Sequence, residues 1–144
     1  MPAVVTAGID KLVQIGEWHK NIEPNRILPY ALDYKKKYGN DFYYLRINNL
    51  VNMWVRAMEQ TKSTDPLVVA RALEGMKFDA DTGEVWMRKE DHQLMQPLYV
   101  SVFAKADGKA VKYDLDDTGF GFWTEQTVPA AATVLPTTCK MERP

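Results

Sequence analysis

Hydrophobic and polar positions change period along this chain: helical first, then alternating, then neither. Leu12, Val13 and Ile15 ahead of Gly16 predict a short strand, and Glu17-Trp18-His19 leads into a polar loop at 20–24. An amphipathic helix is expected over roughly 25–38. Leu28, Ala31, Leu32 and Lys35 mark one stripe, with Ile27, Tyr30, Tyr34 and Tyr38 beside it. Pro29 falls in the first turn, where its missing N–H is tolerated, and Gly39-Asn40 supplies the stop. The most regular pattern runs over about 42–60. There Tyr44, Ile47, Val51, Trp54, Val55 and Met58 recur every three or four residues, opposite Arg46, Asn49, Asn52, Arg56 and Glu59. That spacing predicts the first set as the core-facing stripe. Asn48 lies close to it and needs a partner if buried.

A third, short helix begins at Ser63-Thr64-Asp65-Pro66, with Asp65 as N-cap and Pro66 at the first helical position, and Gly75 closes it. Asp79 to Gly83 is turn chemistry. Val85 and Met87 then alternate with Glu84, Trp86 and Arg88 as one strand. After a charged turn at 89–91, residues 98–104 read as a second strand, rich in β-branched and aromatic side chains. Gly119-Phe120-Gly121-Phe122-Trp123 and the proline-punctuated stretch 128–138 satisfy neither period, so they are expected to be irregular and to lie against a surface. The helices present apolar faces that need a sheet, and the chain supplies few strands for it. That deficit points to a fragment of a larger fold.

Composition narrows the picture without changing it. The 144 residues are 46% hydrophobic and 26% charged, as in an ordinary globular domain, and the formal net charge of -1 gives no electrostatic reason to expect nucleic acid or an anionic membrane as partner. Lys35-Lys36-Lys37 complements a helix C-terminus and reads as a solvated face. The first residues have no basic region, and their apolar run is too short for a signal peptide, so the chain as written is expected to stay where it is made.

Candidate chemistry is sparse. His19 (with Glu17) and His92 (with Glu90 and Asp91) lack the second histidine or cysteine that a metal site needs. Cys139 sits in an irregular tail with no turn or helix start to activate it as a nucleophile. The carboxylates Asp79 and Asp81, and Asp114, Asp116 and Asp117, flank glycines where turns favour Asp. No glycine-rich phosphate loop is present. The chain therefore reads as a non-enzyme with no cofactor. Phe42-Tyr43-Tyr44 opens a helix with aromatics pointing in different directions; these either cover the adjoining sheet or contact a small ligand.

Several segments, in order, resemble the leucine/isoleucine/valine-binding protein family of ABC-transporter substrate-binding proteins. They are Gly39-Asn40-Asp41-Phe42-Tyr43-Tyr44-Leu45-Arg46-Ile47-Asn48-Asn49, Ser63-Thr64-Asp65-Pro66 with Ala72-Leu73-Glu74-Gly75-Met76-Lys77-Phe78, Thr82-Gly83-Glu84-Val85-Trp86-Met87-Arg88, Asp91 to Val100, and Leu135-Pro136-Thr137-Thr138-Cys139-Lys140-Met141. The resemblance implies an α/β, type I periplasmic-binding fold, here incomplete: the closing portions of two three-layer lobes joined by hinge crossings. By that comparison, 1–40 and 113–144 belong to the C-terminal lobe and 42–105 to the N-terminal lobe.

The implied function is solute capture for an ABC importer, of branched-chain amino acids, amides or related small molecules. The full-length family is periplasmic and delivers to a membrane permease. The resemblance further implies that Tyr43 contacts ligand, with Tyr44 the adjacent candidate, and that Cys139 pairs, if at all, with a cysteine outside this chain. Asn48-Asn49 departs from the family pattern, which usually has Tyr followed by a small or acidic residue. Open edges and uncovered apolar faces predict self-association of such a fragment. The alternative is a stand-alone, non-catalytic binding or interaction module built on the same half-fold.

Overall fold

A computed structural model describes residues 12–43 and 45–142. They form two compact units. The first covers 12–43 and 98–128, the second 45–97 and 129–142, and the chain changes unit after Tyr43, Pro97 and Val128. The sequence reading grouped 42–105 together and 113–144 apart. In the structure the strand beginning at Leu98 finds both its partners in the first unit.

In the first unit, β1 (Val13–Gly16), α1 (Leu28–Tyr38), β5 (Leu98–Lys105) and β6 (Phe120–Val128) build a sheet of order β1-β5-β6 with a helix beside it in sequence. Both pairings are antiparallel, with Val13 opposite Val102 and Phe103 opposite Phe122. Tyr99, Ser101 and Phe103 alternate into the core, as the period of two demands. The expectation of irregular chain around 119–123 is corrected: β6 is a nine-residue strand with a register shift opposite Val100/Ser101. Its glycine misled because it serves a neighbour. A Cβ on Gly121 would stand 2.6 Å from the Tyr113 carbonyl oxygen, so only glycine lets the two backbones approach so closely.

α1 starts at Leu28, three residues later than expected, with Pro29 in its first turn. It ends at left-handed Gly39, whose N–H bonds the Lys35 carbonyl at 2.8 Å. The loop expected at 20–24 is present, and it carries buried side chains. His19, Lys20 and Ile22 are buried there. Asn21 makes this possible. Its amide donates to the carbonyls of Tyr113 (2.8 Å) and Phe122 (2.9 Å), and its oxygen accepts the Tyr113 N–H (2.8 Å). One side chain thereby substitutes for a missing strand.

The second unit holds α2 (Leu45–Thr61), α3 (Pro66–Leu73) and a small antiparallel sheet of β2 (Lys77–Ala80), β3 (Gly83–Met87) and β4 (Leu94–Met95), followed by a 3-10 turn at Ala130–Thr133. Asp65 caps α3 as expected, accepting the Leu67 and Val68 N–H groups. Val85 and Met87 turn inward, as expected. β2 and β4 were not foreseen; Asp79 and Ala80, read as turn, end β2. The tail lies against the hairpin. Arg88 donates to the Leu135 carbonyl at 2.6 Å while holding the Asp91 carboxylate with two donors. Among the described residues no helix is long and apolar enough to cross a membrane.

The predicted orientation of α2 is reversed. Its buried side is Leu45, Asn49, Met53 and Ala57, and Met53 and Ala57 join Leu73, Met76, Ala80, Val85 and Met87 in the core of the unit. Ile47 (54%), Val51 (48%), Trp54 (46%) and Val55 (45%) are exposed instead. The apolar stripe is the wider one, but α3 and the hairpin pack on the narrower face with smaller residues. Asn49 thereby loses all solvent, and neither amide atom finds a partner among the described residues. An unpaired buried amide opposes folding. Asn49→Leu, which keeps the branched shape and removes the amide, is expected to stabilise the second unit by about 1–2 kcal/mol in urea unfolding. A loss of stability would mean the amide has a partner after all.

Candidate functional site

The site is built where α1 ends and the chain leaves the first unit. Gly39 turns the backbone out of α1, and Asp41 follows with its carboxylate buried. Three groups converge on it. The Lys20 ammonium lies 2.8 Å from Oδ2, Lys35 lies 3.3 Å from Oδ1, and the Asp116 N–H donates to Oδ2 at 2.7 Å. Burial alone would raise the Asp41 pKa. The Lys20 hydrogen bond, the Asp116 N–H and the charges of Lys20 and Lys35 outweigh it and hold the group below its ordinary value. Lys35 also reaches Asp117 at 2.5 Å, so one residue of the lysine run read as a solvated face is an ion-pair centre.

Phe42 packs inward, edge-on to Trp18, Tyr30 and Tyr34 at centroid distances of 5.3–5.8 Å. The next residue, Tyr43, must point elsewhere. The residue is 51% exposed and its hydroxyl donates to Asp116 Oδ1 at 2.6 Å. Burial of the phenol, that hydrogen bond, and the charges of Asp116 and Asp41 all raise its pKa. Tyr43 is thus a neutral, hydrogen-bonded phenol with an open ring face. Tyr44 lies outside the described residues.

The turn before β6 was legible as a turn but not as part of this site. Asp114 does cap it, accepting the Gly119 N–H at 2.9 Å. Asp116 and Asp117, both at positive φ, aim their carboxylates at Tyr43 and Lys35. No signal in the sequence marked them, since aspartate is ordinary in a turn; their positive φ belongs to the folded backbone.

The histidines are structural. Nδ1 of His19 accepts the Asn21 N–H at 3.2 Å, so the proton sits on Nε2, which donates to Thr124 Oγ1 at 3.0 Å. The ring packs beside Tyr99 and Phe122, and burial lowers its pKa to about 4. His92, at positive φ in the β3–β4 turn, faces Glu74 at 3.6 Å. Cys139 is an exposed thiol in the tail. Among the described residues no three His, Cys, Asp or Glu side chains converge as metal ligands. A separate cavity of about 520 Å³ opens in the first unit beside Asn21, Glu23, Tyr113, Trp123 and Thr124; Tyr43 does not line it.

A family model described as periplasmic binding protein matches residues 3–109. Among solved structures, the leucine-, isoleucine-, valine-, threonine- and alanine-binding protein of Brucella ovis, in its closed conformation, is 22% identical with a TM-score of 0.80, over 98% of this chain and 38% of that one. An ABC-type branched-chain amino acid transporter protein of Rhodopseudomonas palustris is 24% identical, TM-score 0.71, over 94% of this chain and 36% of that one. A solute-binding protein of R. palustris BisB5, in complex with 3,4-dihydroxybenzoic acid, is 18% identical, TM-score 0.66, over 84% and 31%. At these identities the likeness is one of fold, and the chain spans less than two fifths of each protein's length. No curated protein matches.

Proposed function

The chain belongs to the periplasmic binding protein family, and from that premise we propose that it is part of the solute-binding component of an ABC importer for branched-chain amino acids or related small molecules. The observation that carries this reading is Tyr43. It offers an open aromatic face at the point where the chain leaves the first unit, with its hydroxyl tied to Asp116 and its ring held in one orientation. A fixed ring facing solvent suits the apolar body of a small ligand, because little side-chain entropy is lost on contact. On this reading the first unit is the C-terminal-lobe portion, the second is the N-terminal-lobe portion, and the three passages between them are the hinge crossings. The full-length protein acts in the periplasm and delivers to a membrane permease. By the same resemblance, most of the groups that grip an amino acid's charged ends belong to the part of the family's proteins that this chain does not span.

Weak, saturable binding of leucine, valine or a short amide is therefore expected by calorimetry, with Tyr43→Ala weakening it about tenfold and Tyr43→Phe, which keeps the ring but loses the Asp116 bond, weakening it by less. Binding indifferent to Tyr43→Ala would remove the residue from the site. Tight binding by this chain alone would favour the second reading, a stand-alone binding module.

A further inference from the structure

The cavity beside Asn21 measures about 520 Å³, within the range of roughly 300–1,000 Å³ that small-molecule sites occupy, and every residue lining it belongs to the first unit. Its walls are held in place. The Asn21 side chain makes three hydrogen bonds to Tyr113 and Phe122, which tie the loop at 20–24 to the chain at 113 and to β6. Ile22, Leu28, Tyr113 and Trp123 supply apolar and aromatic surface. The charges on the lining are unequal. Lys20 is committed to Asp41, 2.8 Å away. Lys109 and Lys112 are exposed, and neither meets a carboxylate among the described residues. Against these two ammonium groups the lining sets one carboxylate, Glu23. Thr124 adds a neutral donor. Its oxygen accepts the His19 Nε2–H at 3.0 Å, so its own proton is left without an acceptor among the described residues.

We propose that this cavity binds a small aromatic carboxylate, its ring against Trp123 and Tyr113 and its charge met by Lys109, Lys112 and the Thr124 hydroxyl. Aromatic rings meet such side chains favourably, stacked or edge-on, which selects a flat aromatic body over an aliphatic chain. Two unpaired cations against one anion select a carboxylate over an amine. They also select it over a neutral amide, because a charge-assisted hydrogen bond is about twice as strong as a neutral one. The site stands apart from the proposed solute contact, because Tyr43 does not line it.

Titration of the isotope-labelled 144-residue chain with indole-3-acetate, followed by nuclear magnetic resonance, tests this. The expected result is a saturable shift of the Trp123 indole N–H and the Thr124 amide. Indole-3-acetamide, of the same shape without the charge, and tryptamine, of opposite charge, should each bind at least about tenfold more weakly. Lys109→Gln with Lys112→Gln should weaken the carboxylate about tenfold and leave the rest of the spectrum unchanged, whereas Tyr43→Ala should leave its binding as it was. No saturable shift overturns the proposal. So does equal binding of the amide or the amine, or a response that Tyr43→Ala abolishes. Should the lysine variant fail to fold, salt dependence in the parent chain decides. Raising sodium chloride from about 0.05 M to about 0.5 M must weaken the carboxylate several-fold and spare the amide, and binding indifferent to salt counts against the site.

Discussion

Asp41→Ala is expected to destabilise the first unit by about 3–5 kcal/mol, enough to unfold a marginal domain near room temperature. The reason is what the carboxylate leaves behind. Lys20 is buried like Asp41, and its ammonium, 2.8 Å from Oδ2, would be left with no counter-charge in contact among the described residues. The Asp116 N–H would lose its acceptor, and with it the anchor that sets Asp116 against Tyr43. Asp41→Asn, which keeps an acceptor but no charge, should lose roughly half as much. The double substitution Lys20→Met with Asp41→Leu should lose less than Asp41→Ala alone, because an apolar pair leaves no orphan charge. Urea unfolding of the three variants measures this. A loss below about 1 kcal/mol for Asp41→Ala would mean that water replaces the carboxylate easily and the pair carries little. Because the folded pKa of Asp41 lies below its unfolded value, its stabilisation is present above the ordinary carboxylate range and is lost as pH falls through the lowered folded value.

His19 gives a second large effect in a different pH window. Its pKa falls from 6.5 to about 4 on burial. The unfolded chain therefore binds a proton between these values and the folded chain does not. Stability is complete above about pH 6.5, declines as pH falls, and levels off below about 4, a total loss of about 3 kcal/mol. The ring's contacts oppose protonation: Nδ1 accepts the Asn21 N–H, which a charged ring could not do. His19→Asn, which retains an acceptor near that position and does not titrate, should flatten the thermal midpoint of the first unit between pH 6.5 and 4. A midpoint in the parent chain that is already flat over this interval would show that His19 titrates while folded. Asp41 responds only at lower pH, so the two contributions separate.

Local signals fared best where one short interaction decides the outcome. The Asp65–Pro66 start of α3, the Gly39 stop of α1 and the inward alternation of Val85 and Met87 each depend on a few neighbouring residues, and each stands in the structure. Tyr43 was singled out as a candidate only through the family resemblance; in the structure it precedes the helix that begins at Leu45, and it is exposed where Phe42 packs inward. Its partner Asp116, 73 residues away, was not legible, because turn chemistry explains an aspartate there equally well. The burial of the 20–24 loop was hidden for a similar reason. Its polar residues find partners only after β5 and β6 have been brought beside them.

By itself the sequence determined the helices, one inward-alternating hairpin strand, the strand rich in β-branched residues, and a resemblance to a solute-capture family. These follow from period, caps and motif order, which a chain carries locally. The tertiary structure decided which side of α2 is core. Periodicity locates an apolar stripe but does not say what covers it. Here α3 and the hairpin meet the narrower face, bury Asn49 without a partner among the described residues and leave Ile47, Val51, Trp54 and Val55 in solvent. It also decided that the buried Asp41 carboxylate gathers the Lys20 and Lys35 ammonium groups and the Asp116 N–H, because Coulomb attraction and hydrogen bonding act between groups that only the folded backbone brings within about 4 Å.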